Sequence, residues 1–166
     1  MRLRELLKFA DFFTLANAVS GVLSIFFSLN KDFLLSSIMM LIAVFFDAVD
    51  GRLARWLKQE NEFGRQLDSL SDIISFGVAP AVFAYSQGLT SLLAIIILSF
   101  FVVCGVLRLA RFNIIKTKEF IGVPITTNGY LFPLVFLIFG EFKAAVLLVY
   151  AAMSALMISS LKIPKW

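Results

Sequence analysis

Between residues 73 and 107 the chain runs for 35 positions without an aspartate, glutamate, lysine or arginine. Shorter uncharged runs cover 12–30, 33–46, 120–140 and 144–161. A helix that crosses a bilayer needs about 20 mostly apolar residues, so these runs read as membrane spans. Composition agrees: 60% of the chain is apolar and 16% charged, with a mean hydropathy of +0.94. Soluble domains are about 45–50% apolar and about 25% charged.

Other classes fall away on single counts. The lone cysteine, Cys104, has no partner for an intramolecular disulfide, which excludes a stapled secreted mini-protein. The chain has no histidine, so a zinc site of the His/Cys type is excluded. Its net charge of +4 points to nucleic acid only where basic residues form a soluble patch; here they are spread among apolar runs, and no nucleic-acid partner is expected.

The 35-residue run is too long for one crossing, and Ser86-Gln87-Gly88 breaks it. The short 33–46 run continues as helix past Asp47 and Asp50 towards Lys58. The expected fold is therefore an all-α membrane protein, one domain over 1–166. Its six spans lie at roughly 12–30, 33–57, 66–86, 90–113, 122–140 and 143–161. Residues 1–10 alternate charge and apolar bulk and predict a short interfacial helix. No cleavage site of small residues follows the first apolar stretch, so a signal peptide is not expected.

Six spans put Arg2, Arg4, Lys8, Arg52, Arg55, Lys58, Arg65, Arg108, Arg111, Lys116, Lys118, Lys162 and Lys165 on one side. Lys31 and Lys143 fall on the other. By the positive-inside rule both termini are cytoplasmic, in a multi-pass protein of the cell membrane. Trp56 and Trp166 fit anchors at the inner interface.

Against this apolar background, Asp47, Asp50, Asp68 and Asp72 fall within 26 residues. Carboxylates near a membrane are expensive unless paired or bound to cations. Asp47 and Asp50, three apart, share one helix face, as do Asp68 and Asp72, four apart. Gly51 and Gly64 stand beside them and remove side-chain bulk where a ligand or another backbone comes close. Two helices joined by the polar stretch 56–62 would bring the pairs face to face. Oxygen donors without histidine suit Mg²⁺ or Mn²⁺, or Ca²⁺ in their place. Two such ions clamp a pyrophosphate and stabilise charge on phosphoryl oxygens. The plainer alternative, ion pairing with Arg52, Arg55 and Arg65, accounts for one aspartate better than for four at these spacings.

The stretch Asp47-Ala-Val-Asp50-Gly51-Arg-Leu-Ala54-Arg55, eight residues, then Gly64-Arg-Gln-Leu-Asp68-Ser-Leu-Ser-Asp72 resembles the signature of the CDP-alcohol phosphatidyltransferase family at every defining position. The resemblance implies that Asp47, Asp50 and Asp68 hold metal ions and that Asp72 is the general base and also touches a metal. It implies that Gly51, Ala54 and Gly64, with Asp50 and Asp68, receive the CDP-lipid, and that Arg55 sits near a phosphate. Thr14 and Asn17 resemble a polar pair that many members turn towards the nucleotide. A homodimer is expected on the same ground.

Three further stretches resemble the phosphatidylserine synthase branch: Asp68–Pro80 with Ser75, Arg108-Leu-Ala-Arg111-Phe112-Asn113, and Phe120-Ile-Gly122-Val-Pro124. Residues 125–129 depart from the Pro/Ala-rich stretch common there. The branch implies transfer of a phosphatidyl or archaetidyl group from CDP-diacylglycerol or CDP-archaeol to L-serine at the cytoplasmic face, with release of CMP. Arg108, Arg111, Asn113 and Ser75 would hold the acceptor. A guanidinium grips a carboxylate with two parallel hydrogen bonds, yet glycerol 3-phosphate or inositol phosphate would want the same cations. A cation transporter or channel is the more distant alternative: its sites usually lie at mid-membrane between repeats, whereas these acids gather at one face.

Overall fold

The computed structural model describes residues 7–57, 61–114, 120–142 and 144–163. Most of the expected interfacial helix, with Arg2 and Arg4, lies outside the described residues, as do Lys58, Lys116, Lys118, Lys143, Lys165 and Trp166. Within the described part of that segment, Phe9 and Ala10 form a turn, and helix begins at Asp11.

Six helices follow: α1 (Asp11–Leu29), α2 (Phe33–Trp56), α3 (Glu62–Ser86), α4 (Leu92–Ile114), α5 (Thr126–Phe139) and α6 (Val146–Ile158). The first four are long and apolar enough to cross a membrane; α5 and α6, with 14 and 13 residues, are shorter apolar helices. Two-residue strands, β1 (Phe120–Ile121) and β2 (Lys162–Ile163), pair antiparallel beside the ends of α4 and α6.

Local chemistry sets the boundaries. Asp32 caps α2 by accepting the Leu35 N–H at 3.1 Å, and Asn61 caps α3 by accepting the Gly64 N–H at 2.7 Å. The Asn61 cap starts α3 at Glu62, four residues before the expected start of the third span. The fifth helix starts at Thr126 rather than near 122. Gly122 has φ +78°, a left-handed turn that suits glycine, and Pro124 holds back the start of the helix. Inside α3, Ile73–Val78 is π-helical. Pro80 follows directly; its ring clashes with the carbonyl four residues back, and a wider helical turn relieves that clash.

Packing is aromatic on one side of the bundle and polar on the other. Phe132 and Tyr150 stack with ring centres 3.9 Å apart, Phe101 meets Tyr150 edge-on, and the Tyr150 hydroxyl donates to the Pro80 carbonyl at 2.6 Å. Between α1 and α2, the buried hydroxyls of Ser24, Ser28 and Ser36 bond one another at 2.7–2.9 Å. Small hydroxyl residues let two backbones come close and join helices where lipid offers no other polar partner.

Helix α1 also packs along α3, and Gly21 sets that approach. A Cβ at Gly21 would lie 2.8 Å from the Ser75 Cα, a backbone atom that has nowhere to go. The Ser75 hydroxyl donates to the Asn17 carbonyl at 3.0 Å, which fixes the register of α1 on α3. Replacing Gly21 by valine is therefore expected to push the helices apart and cost about 1–3 kcal/mol. Thermal unfolding in detergent checks this, with Val19→Ala, at a position 58% exposed, as the unaffected control.

Candidate metal and phosphate site

At one end of the bundle, α1, α2 and α3 enclose a cavity of about 530 Å³. Its walls are built from helix faces, as the spacings predict. Asp47, Asp50, Gly51, Ala54 and Arg55 line it from α2; Gly64, Arg65 and Asp68 line it from α3; Asp11 and Thr14 line it from α1. Carboxylate oxygens of Asp47, Asp50 and Asp68 all lie within 4.8 Å of one another. Asp50 Oδ2 is buried without a hydrogen-bond partner. Among the described residues none of these carboxylates has an ion pair; the pair that does form, Arg65 with Glu62, stands apart from them.

Asp72 is buried deeper. It lies against the Asp47 carboxyl, and its Oδ1 accepts the Asn17 side-chain N–H at 3.3 Å. Thr126 at the start of α5 also touches Asp47, and Thr14 touches Asp50. Oxygen donors crowded this closely, with one orphaned oxygen and no basic side chain bonded to them, have the composition of a hard-cation site. The donor set therefore fits a divalent ion.

The two glycines of the acidic stretch differ in what they face. Nothing lies within 4 Å of a Cβ added at Gly51, whereas at Gly64 it would meet Asp11 Oδ1 at 2.9 Å. Gly51 leaves room open to the cavity; Gly64 leaves room for Asp11. The sequence reading did not single out Asp11 or Thr126. An acid opening a span reads as a partner for the helix dipole, and Thr126 reaches Asp47 through tertiary packing alone.

The four residues expected at the acceptor separate. Arg108 is 6% exposed, its charge faces Asp72, Asp47 and Asp68, its Nε is buried without a partner, and its guanidinium lies 5.4 Å from the Phe112 ring centre. Arg111, three residues on, turns to the end of α6. It donates to the carbonyls of Met157 at 3.2 Å, Ile158 at 3.2 Å and Ser159 at 3.1 Å. A cation on the final carbonyls of a helix supplies bonds that the helix cannot make for itself. Ser75 is committed to Asn17, and Asn113 donates to the Ser69 hydroxyl at 2.9 Å. Of the four, Arg108 is the one whose charge is turned towards the acidic cluster.

The family model for CDP-alcohol phosphatidyltransferases matches residues 7–162. The archaetidylserine synthase of Methanothermobacter thermautotrophicus is 40% identical over 162 residues, which is 93% of this chain and 69% of that protein. The CDP-diacylglycerol–serine O-phosphatidyltransferase of Methanocaldococcus jannaschii is 40% identical over 130 residues, covering 78% of this chain and 60% of its own length. The protein of that name from Bacillus subtilis is 36% identical over 155 residues, 91% of this chain and 86% of the relative.

The Arg111 contacts predict a stability effect. Arg111→Met removes the charged donor from the α6 carbonyls and is expected to cost about 2 kcal/mol. A thermal melt in detergent reads the loss, with the exposed Arg52→Met as control.

Proposed function

The chain belongs to the CDP-alcohol phosphatidyltransferase family, and from that premise we propose that it transfers the lipid phosphate of a CDP-activated lipid to the hydroxyl of L-serine, releasing CMP. The carrying observation is the convergence of Asp47, Asp50 and Asp68 within 4.8 Å, beside a buried Asp72 and a buried arginine. Divalent cations held by those three carboxylates, Mg²⁺ or Mn²⁺ and two in number, would neutralise the pyrophosphate and the charge that builds on its oxygens.

The chain's own groups do the rest. Gly51 and Ala54 leave the wall of α2 open for the nucleotide, and Arg55 is within reach of a phosphate. Asp72 takes the proton from the serine hydroxyl as its oxygen attacks the lipid-side phosphorus. The new P–O bond forms as the bond to CMP breaks, and CMP carries away the bridging oxygen. A carboxylate serves as base only within hydrogen-bond reach of the hydroxyl; the Asn17 amide, bonded to Asp72, holds it in one orientation. Arg108 has a free, buried Nε and an acidic neighbourhood. It would grip the serine carboxylate and set the hydroxyl towards Asp72.

The serine-transferring relatives support the acceptor. The lipid tails are diacylglycerol or archaeol, as the names of those relatives vary. The chain is one domain with six crossings, α5 and α6 being lengthened by flanking apolar residues. Both termini and the cavity face the cytoplasm, and two copies form a dimer.

CMP release from CDP-lipid by purified protein in detergent tests the chemistry. L-serine is expected to drive release in the presence of Mg²⁺ or Mn²⁺, and chelator to abolish it. Asp47→Asn, Asp50→Asn and Asp68→Asn should each lower the rate by about a hundredfold or more, and Arg108→Met should raise the KM for serine. Release driven by glycerol 3-phosphate or inositol phosphate instead overturns the acceptor, and full activity in Asp68→Asn overturns the metal clamp. Topology is tested separately, with Cys104 replaced by alanine. An impermeant maleimide should label Lys31→Cys on intact cells and Asn61→Cys only after permeabilisation.

A further inference from the structure

Asp11 takes no part in the reaction derived above, yet it is 5% exposed and lines the same cavity. Its two oxygens have different surroundings. Oδ2 accepts the Lys8 backbone N–H at 2.7 Å, and the Asp11 N–H answers to the Lys8 carbonyl at 3.1 Å. That reciprocal pair anchors the carboxylate at the start of α1. Oδ1 has no protein donor among the described residues, and it stands beside Gly64, in the space that a side chain there would fill.

Its level in the cavity is set by helix geometry. Asp11 precedes Thr14, the neighbour of Asp50, by three residues, about 4.5 Å along the axis. Gly64 precedes Asp68 by four, about 6 Å. Asp11 therefore sits one helical turn outward from the carboxylates that would hold the phosphates, where the sugar and base of a nucleotide extend. A carboxylate at that level repels phosphate, and Asp11 is outside the group whose oxygens converge on a cation position. Among the described residues it has no ion pair. A buried, anchored acceptor with one open oxygen calls for a donor on the ligand.

We propose that Asp11 reads the nucleotide base, its Oδ1 accepting a hydrogen bond from the exocyclic amine of cytosine. The inference rests on the reading that this cavity takes a CDP-lipid, and it names the residue that sets the base. Cytosine presents an N–H₂ donor at the position where a uracil-type base presents a carbonyl acceptor. An acceptor facing an acceptor leaves two groups unpaired, and sites built around a substrate hydrogen bond reject analogues lacking it far more strongly than apolar pockets do. Gly64 is part of this device, because its missing side chain lets the carboxylate stand in the wall.

The test is competition between CMP and UMP for the purified full chain in detergent with Mg²⁺, read as binding rather than turnover. Wild type is expected to prefer CMP. Asp11→Asn keeps an oxygen for the Lys8 N–H and turns an N–H₂ donor into the cavity. It should lower CMP affinity, raise UMP affinity and shift their ratio by about tenfold or more. Gly64→Ala, which crowds Oδ1 without changing its chemistry, should narrow the ratio by weakening CMP alone, and it carries the test if Asp11→Asn does not fold. An unchanged CMP:UMP ratio in the folded variant, or an equal loss of both nucleotides, overturns the assignment while leaving the proposed reaction standing. Failure of wild type to bind CMP at all overturns both.

Discussion

Like charges crowded into a poorly hydrated place repel, and the carboxylates of Asp47, Asp50 and Asp68 converge within 4.8 Å. At an effective dielectric of about 20, each ionised pair at such a distance costs on the order of 3 kcal/mol. No chain tolerates that without something to gather the acids and something to neutralise them. Helices α2 and α3 supply the first, since side chains three and four residues apart rise on one face. The second is left to ions and ligand, because the nearby arginines are engaged elsewhere or face the cluster without bonding to it. Arg65 pairs with Glu62 and Arg111 with α6. The acidic site is thus poised for a bound cation rather than satisfied from within the protein.

Helix α1 turns this crowd into an oriented site. It is stapled to α2 by the Ser24–Ser28–Ser36 hydroxyls and pressed onto α3 at Gly21. From that one position it delivers Asn17 to Asp72, Thr14 to Asp50 and Asp11 to Gly64. These three residues climb one face of the helix in steps of three, so a single docking event orders the site from its base to its mouth.

That layering also explains what was legible from the sequence. The aspartates could be read because their grouping depends on helical spacing alone, which no tertiary contact needs to supply. Their glycines were legible as absences of bulk, but not for what fills the space: Gly51 opens on the cavity and Gly64 on Asp11. Arg108 and Arg111 look equivalent in sequence, three apart at the end of one helix. The structure divides them, because the carbonyls at the end of α6 come within reach of Arg111 only through the packing of α6 on α4. Helix starts moved for similarly local reasons. Asn61 draws α3 forward to Glu62, and Gly122 with Pro124 holds α5 back to Thr126.

The π-helical turns at Ile73–Val78 divide α3 immediately after its last acidic residue. A π-turn holds one more residue than the α-turn it replaces, so it absorbs an insertion without changing the direction of the rod. The acidic half of α3 and the apolar half that follows are therefore out of phase with a single ideal helix. Each half can keep the face its neighbours demand: carboxylates towards α2, and Phe76 and Phe83 towards the interior. In evolutionary terms the two halves are free to drift apart, and tailoring the lipid-embedded part need not disturb the chemistry before it. A one-residue deletion within 73–78 would tighten the rod into continuous α-helix and rotate everything beyond it by about 100°, so length in this short segment is more tightly constrained than the identity of most of its side chains.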